Sequence, residues 1–172
     1  MGFSAPNPLS TIYKTSQAKV HFSSEAPMEI IKAESSKLVG LFNTEKNSFA
    51  FQVSCISFMG FNSELQREHF NENYMESTKY PKIKFVGKLV DPVDYNQKGK
   101  TQVKVKGSLN IHGISKERTL DATLEITDNK LIINSQFEVP LADHNIKIPT
   151  IVNQKIAKMI TCTVQAEMVP KS

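Results

Sequence analysis

The stretch Gln102-Val103-Lys104-Val105-Lys106-Gly107-Ser108-Leu109-Asn110-Ile111-His112 places an apolar or small residue at every second position. A period of two is typical of a β-strand with one face in the protein interior and the other in water. From Thr101 to Ile111 such a strand would span roughly 37 Å, at about 3.4 Å per residue. A strand of that length favours an elongated barrel over a compact sandwich.

The same alternation recurs along most of the chain. It predicts strands at 18–23, 49–55, 82–89, 102–112, 120–127, 131–139 and 160–168, with weaker strands at 28–33 and 37–42. Each strand has one apolar and one polar face, which is typical of an antiparallel sheet with one side in water. Turn-forming residues separate the strands at 96–99, 112–113 and 128–129. Eight or nine strands of this kind predict an all-β protein that is either a closed barrel or a sandwich.

Composition narrows the class of protein. With 172 residues, the chain is most simply one domain, and 40% hydrophobic with 22% charged residues is ordinary for a globular protein. The net charge of +4 comes from basic residues scattered among acidic ones without a run of either, so we expect no nucleic-acid partner. No stretch approaches the roughly 18 apolar residues of a membrane span, so no membrane span is expected.

The first residues predict an extended arm over 1–15, ahead of one barrel domain over 16–172. The beginning has no charged segment followed by an apolar one, as a secretory signal peptide would. Pro6 stands where a myristoylation signal after Gly2 needs Ser or Thr. We expect either a cytoplasmic protein or a mature form whose signal has been removed.

One polar, helix-prone interval, 62–77, interrupts the strands. Ser63 and Gln66 have the spacing of a capping box, and Pro81 forbids the helix from continuing. His69 beside Glu68 could form a general acid–base pair, which would make the protein an enzyme. The alternative is a structural helix held by caps and salt links.

Other catalytic or metal-binding patterns are missing from the sequence. No zinc-binding spacing, nucleophile elbow or glycine-rich phosphate loop is present, so we expect no catalytic residues, no metal and no cofactor. His21 and His112 lie on the polar faces of their strands and are expected to be exposed. Cys55 and Cys162 lie in strand patterns and are expected to be buried thiols, with a disulfide as the alternative.

The apolar faces are the stronger indication of function. If the sheet closes, one interior would receive the side chains of Phe22, Phe49, Phe51, Val53, Phe85, Leu89, Val105, Leu109, Ile111, Leu124, Ile133, Phe137, Ile160 and Val164. A small barrel is either filled by side chains or holds one small ligand. A ligand chain of roughly a dozen buried carbons would gain about 10 kcal/mol before ordering costs, at about 0.8 kcal/mol per methylene.

Three segments resemble the YceI-like family of lipocalin-like polyisoprenoid-binding proteins. They are Arg67-Glu68-His69-Phe70-Asn71-Glu72-Asn73-Tyr74-Met75-Glu76-Ser77, then Tyr80-Pro81-Lys82-Ile83-Lys84-Phe85, then Val105-Lys106-Gly107-Ser108-Leu109-Asn110-Ile111-His112-Gly113 with Lys116. The resemblance covers roughly residues 16 to 169. It implies an extended eight-stranded antiparallel lipocalin-like β-barrel with a short helical insertion. It also implies a periplasmic or secreted location, a homodimer and a long isoprenoid in the interior.

We therefore expect a non-catalytic protein that binds a long-chain apolar lipid for transport, storage or sequestration. The ligand would be a polyisoprenoid or a similar isoprenoid or fatty-acyl chain, with Arg67, His69, Phe70 and Tyr74 forming a rim or lid. Two rivals stay open. One is a barrel enzyme that uses His69 and Glu68 on a hydrophobic substrate, and the other is a structural or interaction module with a filled core.

Overall fold

The computed structural model describes residues 11–171 of the chain. This part contains nine β-strand segments and one short α-helix. In chain order they are β1 (Ile12–Glu25), β2 (Ile30–Ser35), β3 (Val39–Asn43), β4 (Ser48–Ser54), α1 (Glu64–His69), β5 (Lys82–Leu89), β6 (Gly99–Ile111), β7 (Ile114–Ile126), β8 (Leu131–Pro140) and β9 (Met159–Pro170). All strand pairings are antiparallel, as the one-sided alternation predicted.

The sheet closes because β1 pairs with β9 from Tyr13–Pro170 to Ser23–Thr161. On its other edge, β1 pairs first with β3 and then with β2. β2 and β3 are therefore two halves of one strand that is interrupted at 36–38, and the barrel has eight strands around its circumference. The predicted eight-stranded antiparallel barrel with a short helical insertion is confirmed.

The first strand begins earlier than the sequence pattern indicates. β1 starts at Ile12, so the last residues of the predicted 1–15 arm are already paired with β3. A register shift between Thr15 and Gln17, where β1 pairs with β9, breaks the period of two at this point. The alternation of apolar and polar residues can therefore be recognised in the sequence only from Ala18 onward. Residues 1–10 of the predicted arm lie outside the described residues.

Two glycines allow neighbouring strands to approach closely. Gly87 of β5 and Gly107 of β6 lie directly opposite each other. A Cβ on Gly87 would overlap the carbonyl of Lys106, and one on Gly107 would overlap the carbonyl of Val86. Because neither glycine carries a Cβ, the two backbones can approach this closely.

The helical insertion lies between β4 and β5. The hydroxyl of Ser63 accepts a hydrogen bond from the Gln66 amide at 3.1 Å, as the capping pattern predicted. The Gln66 side chain reaches back to the amide of Asn62, one residue before the cap. A wider π-type turn, Phe70–Tyr74, follows α1 directly. The amide of Cys55 donates to the carbonyl of Pro81 at 2.9 Å, which joins the two ends of the insertion.

The two ends of the barrel differ. The mouth end carries the β1–β2 hairpin, the insertion and the β8–β9 connection (141–158). The packed end carries the β3–β4 turn and the β5–β6 connection, and its core includes Tyr13, Phe42, Phe49, Leu120, Leu124, Leu131 and Met168. The Tyr95 hydroxyl donates to Asn47 Oδ1 at 2.6 Å and helps to close this end, where burial raises the pKa of the tyrosine.

Candidate functional site: an apolar cavity at the barrel mouth

A cavity of about 520 Å³ occupies the mouth end. Its walls come from the inward faces of the strands, and its upper part comes from the insertion and the β8–β9 connection. Most of the lining side chains are aliphatic or aromatic, including Val20, Ile31, Ile83, Val139, Met75 and Ile146. The volume lies within the roughly 300–1,000 Å³ typical of small-molecule sites.

The predicted interior residues divide between the two ends of the barrel. Six of them line the large cavity: Phe22, Val53, Leu109, Ile111, Phe137 and Ile160. Seven surround a second space, of about 60 Å³, at the packed end: Phe49, Phe51, Phe85, Leu89, Val105, Leu124 and Ile133. Val164 lines neither and packs against the cluster of Ala33, Leu38, Val53 and Phe58. Because about 60 Å³ holds only a water or two, the packed end is core, and the space for a ligand is at the mouth.

Phe137 of β8 lines both spaces and lies between them. The Arg118 guanidinium lies 5.8 Å from the centre of the Phe137 ring and donates to the carbonyl of Glu138 at 2.8 Å. The aromatic ring is thus supported from the adjoining strand β7. Phe137 forms the floor of the large cavity.

An aromatic lid, made of Phe58, Phe61 and Phe70, covers part of the mouth. The Phe70 ring stacks on Phe22 of β1, with centroids 5.4 Å apart and an interplanar angle of 16°. It also contacts Phe58 and Phe61, at 5.9 and 5.0 Å between centroids. Phe70 and Tyr74, both predicted to form a rim or lid, line the cavity, and Phe70 is part of the aromatic lid.

Arg67, the third predicted rim residue, does not line the cavity. Its guanidinium donates to the carbonyl of Ile56 at 3.3 Å, so it attaches the insertion to the segment after β4. It also lies 3.7 Å from the Glu64 carboxylate within α1. His69 lines the cavity and Glu68 does not, although both residues are exposed. Within residues 11–171 no hydrogen bond or ion pair joins His69 to Glu68. The acid–base pair of the enzyme hypothesis is therefore not assembled at the cavity.

A small polar group at the mouth was not predicted from the sequence. Glu29, Asn62, Ser63, Gln66 and Lys155 all line the cavity. They come from the β1–β2 hairpin, the start of the insertion and the β8–β9 connection, which meet where the amide of Met28 donates to the carbonyl of Gln154. No spacing rule links residues so far apart, so the sequence carried no pattern that could have identified them.

Two histidines, His112 and His144, are neighbours at the mouth end of the barrel. His112, predicted to be exposed, has a side chain only 10% exposed, so that prediction is wrong. Its Nε2 lies 2.5 Å from a Glu76 carboxylate oxygen, and its Nδ1 lies 2.9 Å from the carbonyl of His144. The insertion folds over the β6–β7 turn and covers a face that the strand pattern alone would leave in water.

His144 is fully buried beside this pair. Its Nδ1 donates to the carbonyl of Ile114 at 3.0 Å, and its Nε2 has no hydrogen-bond partner among the described residues. Burial lowers the pKa of His144, so the neutral imidazole is favoured. The contacts join the turn after β8 to the β6–β7 turn and stabilise the mouth end.

The two cysteines are free thiols. Cys55 is buried near Met75, and burial raises the pKa of its thiol. Cys162 lines the cavity, where burial raises the pKa of its thiol to about 12. The prediction of a buried thiol is confirmed for Cys55, whereas Cys162 is only partly buried, and the disulfide alternative is not formed.

A second large concavity, of about 610 Å³, lies beside the β5–β6 connection. Aspartate and lysine side chains of opposite charge line it, among them Asp91, Asp94, Lys100 and Lys104. Such a surface does not suit an apolar chain. Among residues 11–171 no group of three potential ligands is placed to hold a metal ion, and no helix of that part is long and apolar enough to cross a membrane.

A closed antiparallel barrel with an apolar cavity at one end defines a lipocalin-like β-barrel. The family model for the YceI-like domain matches residues 13–168, and the chain belongs to that family. No curated protein matches the sequence.

Solved structures share this fold at low sequence identity. A polyisoprenoid-binding domain from Saccharophagus degradans has a TM-score of 0.78 and 14% identity, over 92% of this chain and 98% of that one. BcnA from Burkholderia cenocepacia has a TM-score of 0.72 and 14% identity, over 87% and 95%. A YceI protein from Campylobacter jejuni has a TM-score of 0.60 and 15% identity, over 100% and 92%.

Proposed function

We propose that this protein binds a long-chain apolar lipid in the mouth cavity and carries, stores or sequesters it without changing it chemically. The observation that carries the proposal is the cavity of about 520 Å³ with a largely apolar lining. The polyisoprenoid-binding description of the Saccharophagus degradans domain supports an isoprenoid or a similar chain as the ligand.

Hydrophobic burial supplies the affinity in this proposal. Each buried methylene contributes about 0.8 kcal/mol, so a dozen carbons give about 10 kcal/mol before the costs of association. The lining residues have few hydrogen-bonding groups away from the mouth, so chain length and fit set the affinity there.

The cavity limits how much of a chain it can hold. Along the end of β8 and the residue after it, the cavity is lined from Phe137 to Leu141, which is about 13 Å at roughly 3.3 Å per residue. A long polyisoprenoid therefore exceeds the space above Phe137. In our proposal the chain end enters first, and any remainder either leaves through the mouth or requires Phe137 to move.

Two rivals are less well supported. A filled-core module does not need a cavity of about 520 Å³. A barrel enzyme would need Glu68 at the cavity with His69, and Glu68 is exposed. We further propose a periplasmic or secreted location and a homodimer, as expected for the family. Fractionation of the native cell and light scattering on the purified protein test these two points.

Native mass spectrometry of the purified protein tests the proposal, followed by solvent extraction and displacement of N-phenylnaphthylamine, a fluorescent apolar probe. We expect a bound lipid, or uptake of long-chain lipid after extraction. Ile160→Trp should fill the cavity and weaken probe binding, whereas Val86→Trp, on the exposed face of β5, should not. A folded protein that binds neither lipid nor probe would overturn the proposal.

A further inference from the structure

The polar group at the mouth is organised around one carboxylate. Glu29 Oε2 accepts hydrogen bonds from the side-chain amides of Asn62 at 3.0 Å and Gln66 at 2.5 Å. The Asn62 amide also donates to the carbonyl of Ile30, and Gln66 Oε1 accepts from the backbone of Asn62. Both amides are thus fixed in orientation, and they hold the carboxylate in one position before any ligand arrives.

The second oxygen of this carboxylate is available. Within residues 11–171, Glu29 Oε1 accepts no hydrogen bond, although Glu29 lines the cavity. The two amide hydrogen bonds lower the pKa of Glu29, with a smaller contribution from the charge of Lys155, so the group is ionised at neutral pH. An ionised carboxylate oxygen is a strong acceptor for a ligand that can donate a hydrogen bond.

Lys155 is the complementary group. It is the one cationic side chain, and Glu29 the one anionic side chain, among the described residues that line the cavity. The two charges form no ion pair within 4.0 Å in the described part of the chain. A carboxylate and an ammonium that line one mouth without pairing can each be a hydrogen-bond partner for a small group that donates to one and accepts from the other.

We propose that the mouth recognises the hydroxyl head group of a long-chain alcohol, such as a prenol, and selects it over a carboxylate head on the same chain. This inference rests on the proposed function, because the chain must lie in the apolar cavity. The hydroxyl donates to Glu29 Oε1 and accepts from the Lys155 ammonium, which gives each of the three groups a partner.

Other head groups fit less well for identifiable reasons. A carboxylate would place a second negative charge beside Glu29, and Lys155 alone can offset only one of the two. A phosphate carries more negative charge and is disfavoured more strongly. A methyl ether can accept from Lys155 but has no proton to donate, so it gives no hydrogen bond to Glu29 Oε1.

The structural alternative is that Glu29 only attaches the insertion to the β1–β2 hairpin. In that case, removing its charge would change the melting temperature but not the order in which head groups bind. The order in which head groups bind therefore distinguishes a Glu29 that recognises the ligand from a Glu29 that only attaches the insertion to the hairpin.

The experiment compares hexadecan-1-ol, hexadecanoic acid and hexadecyl methyl ether as competitors of N-phenylnaphthylamine on delipidated protein at neutral pH. We expect the alcohol to bind about tenfold more tightly than the acid and the ether, the scale of one hydrogen bond to a charged group. Glu29→Gln should remove the preference of alcohol over acid. Glu45→Gln, in the exposed β3–β4 turn, loses the same charge and should leave it unchanged.

The outcomes separate the two proposals. If no competitor displaces the probe, both the lipid-binding function and the head-group inference fail. If all three bind equally, or if Glu29→Gln keeps the wild-type order, the head-group inference fails and lipid binding stands. Thermal melting of each variant establishes that the proteins compared are folded.

Discussion

Phe70 of the insertion stacks on Phe22 of β1, with ring centroids 5.4 Å apart and an interplanar angle of 16°. The contact joins a helical segment to the barrel wall inside the cavity mouth, and Phe58 and Phe61 surround it. Since the lid is held by aromatic packing, its opening would be governed by how much apolar contact must be broken.

Phe70→Ala should loosen this lid. We expect a loss of about 2 kcal/mol, less than the roughly 3–5 kcal/mol of a fully buried phenylalanine, because Phe70 is half-buried. The melting temperature should fall by about 4–8 °C, and the apolar probe should dissociate faster. Differential scanning calorimetry and stopped-flow fluorescence measure the two effects. Leu65→Ala, at a residue 60% exposed, should change the melting temperature little, and equal losses in both variants would contradict the lid.

Phe137→Ala should join the two spaces of the barrel, because Phe137 lines both. In the wild type, affinity should rise with chain length until the mouth cavity is filled and then level off. In the variant, the rise should continue to longer chains, by about fourfold per added methylene at about 0.8 kcal/mol each. Competition assays with a homologous series of alcohols measure this.

The control for that variant is Leu124→Ala, which enlarges only the space at the packed end. It should lower stability by a comparable amount, about 3 kcal/mol, without moving the chain length at which affinity levels off. If both variants shift that length equally, or if neither does, Phe137 is not the floor of the ligand site.

The sequence predicted strand positions and strand phase well, for a local reason. In β6 and β8 the side chains alternate between the two faces of the pleated strand, so the face of Leu109 or Phe137 follows from its position alone. The bulge between Thr15 and Gln17 hid the start of β1 because it breaks this rule.

Whether the interior is empty or filled could not be predicted in the same way. Phe85 and Ile83 are both inward residues of β5, yet one surrounds the packed end and the other lines the large cavity. The difference depends on how the sheet coils and on which side chains meet across the barrel. The polar group at the mouth also could not be predicted from the sequence, because Glu29 is 33 residues from Asn62 and 37 residues from Gln66 along the chain.

The alkylation rate of the Cys162 thiol should indicate whether the cavity is occupied. Its pKa of about 12 leaves very little thiolate at neutral pH, so alkylation of the folded, empty protein by monobromobimane should be slow. The rate should rise about tenfold per pH unit below that pKa, and bound lipid should reduce it further because Cys162 lines the cavity. Mass spectrometry of the labelled peptide measures the rate.

Cys162→Ser is the control for that assay. The residual label would then fall on Cys55, which does not line the cavity and should be insensitive to lipid. Rapid labelling of Cys162 at neutral pH with lipid bound would show that the thiol does not face the ligand space.

His144 should make the fold sensitive to acid. Burial lowers the pKa of His144 in the folded state, so the folded protein binds fewer protons than the unfolded chain. The stability associated with this group is present above about pH 6.5, the ordinary histidine pKa, and is lost as the pH falls below it.

His144→Asn keeps a donor for the carbonyl of Ile114 and removes the titration. We expect the variant to lose about 1–2 kcal/mol at neutral pH but to show a flatter decline in melting temperature between pH 7 and pH 5. His21→Asn, at a half-exposed position on β1, should keep the wild-type decline. If His144→Asn also keeps it, the acid sensitivity does not come from His144.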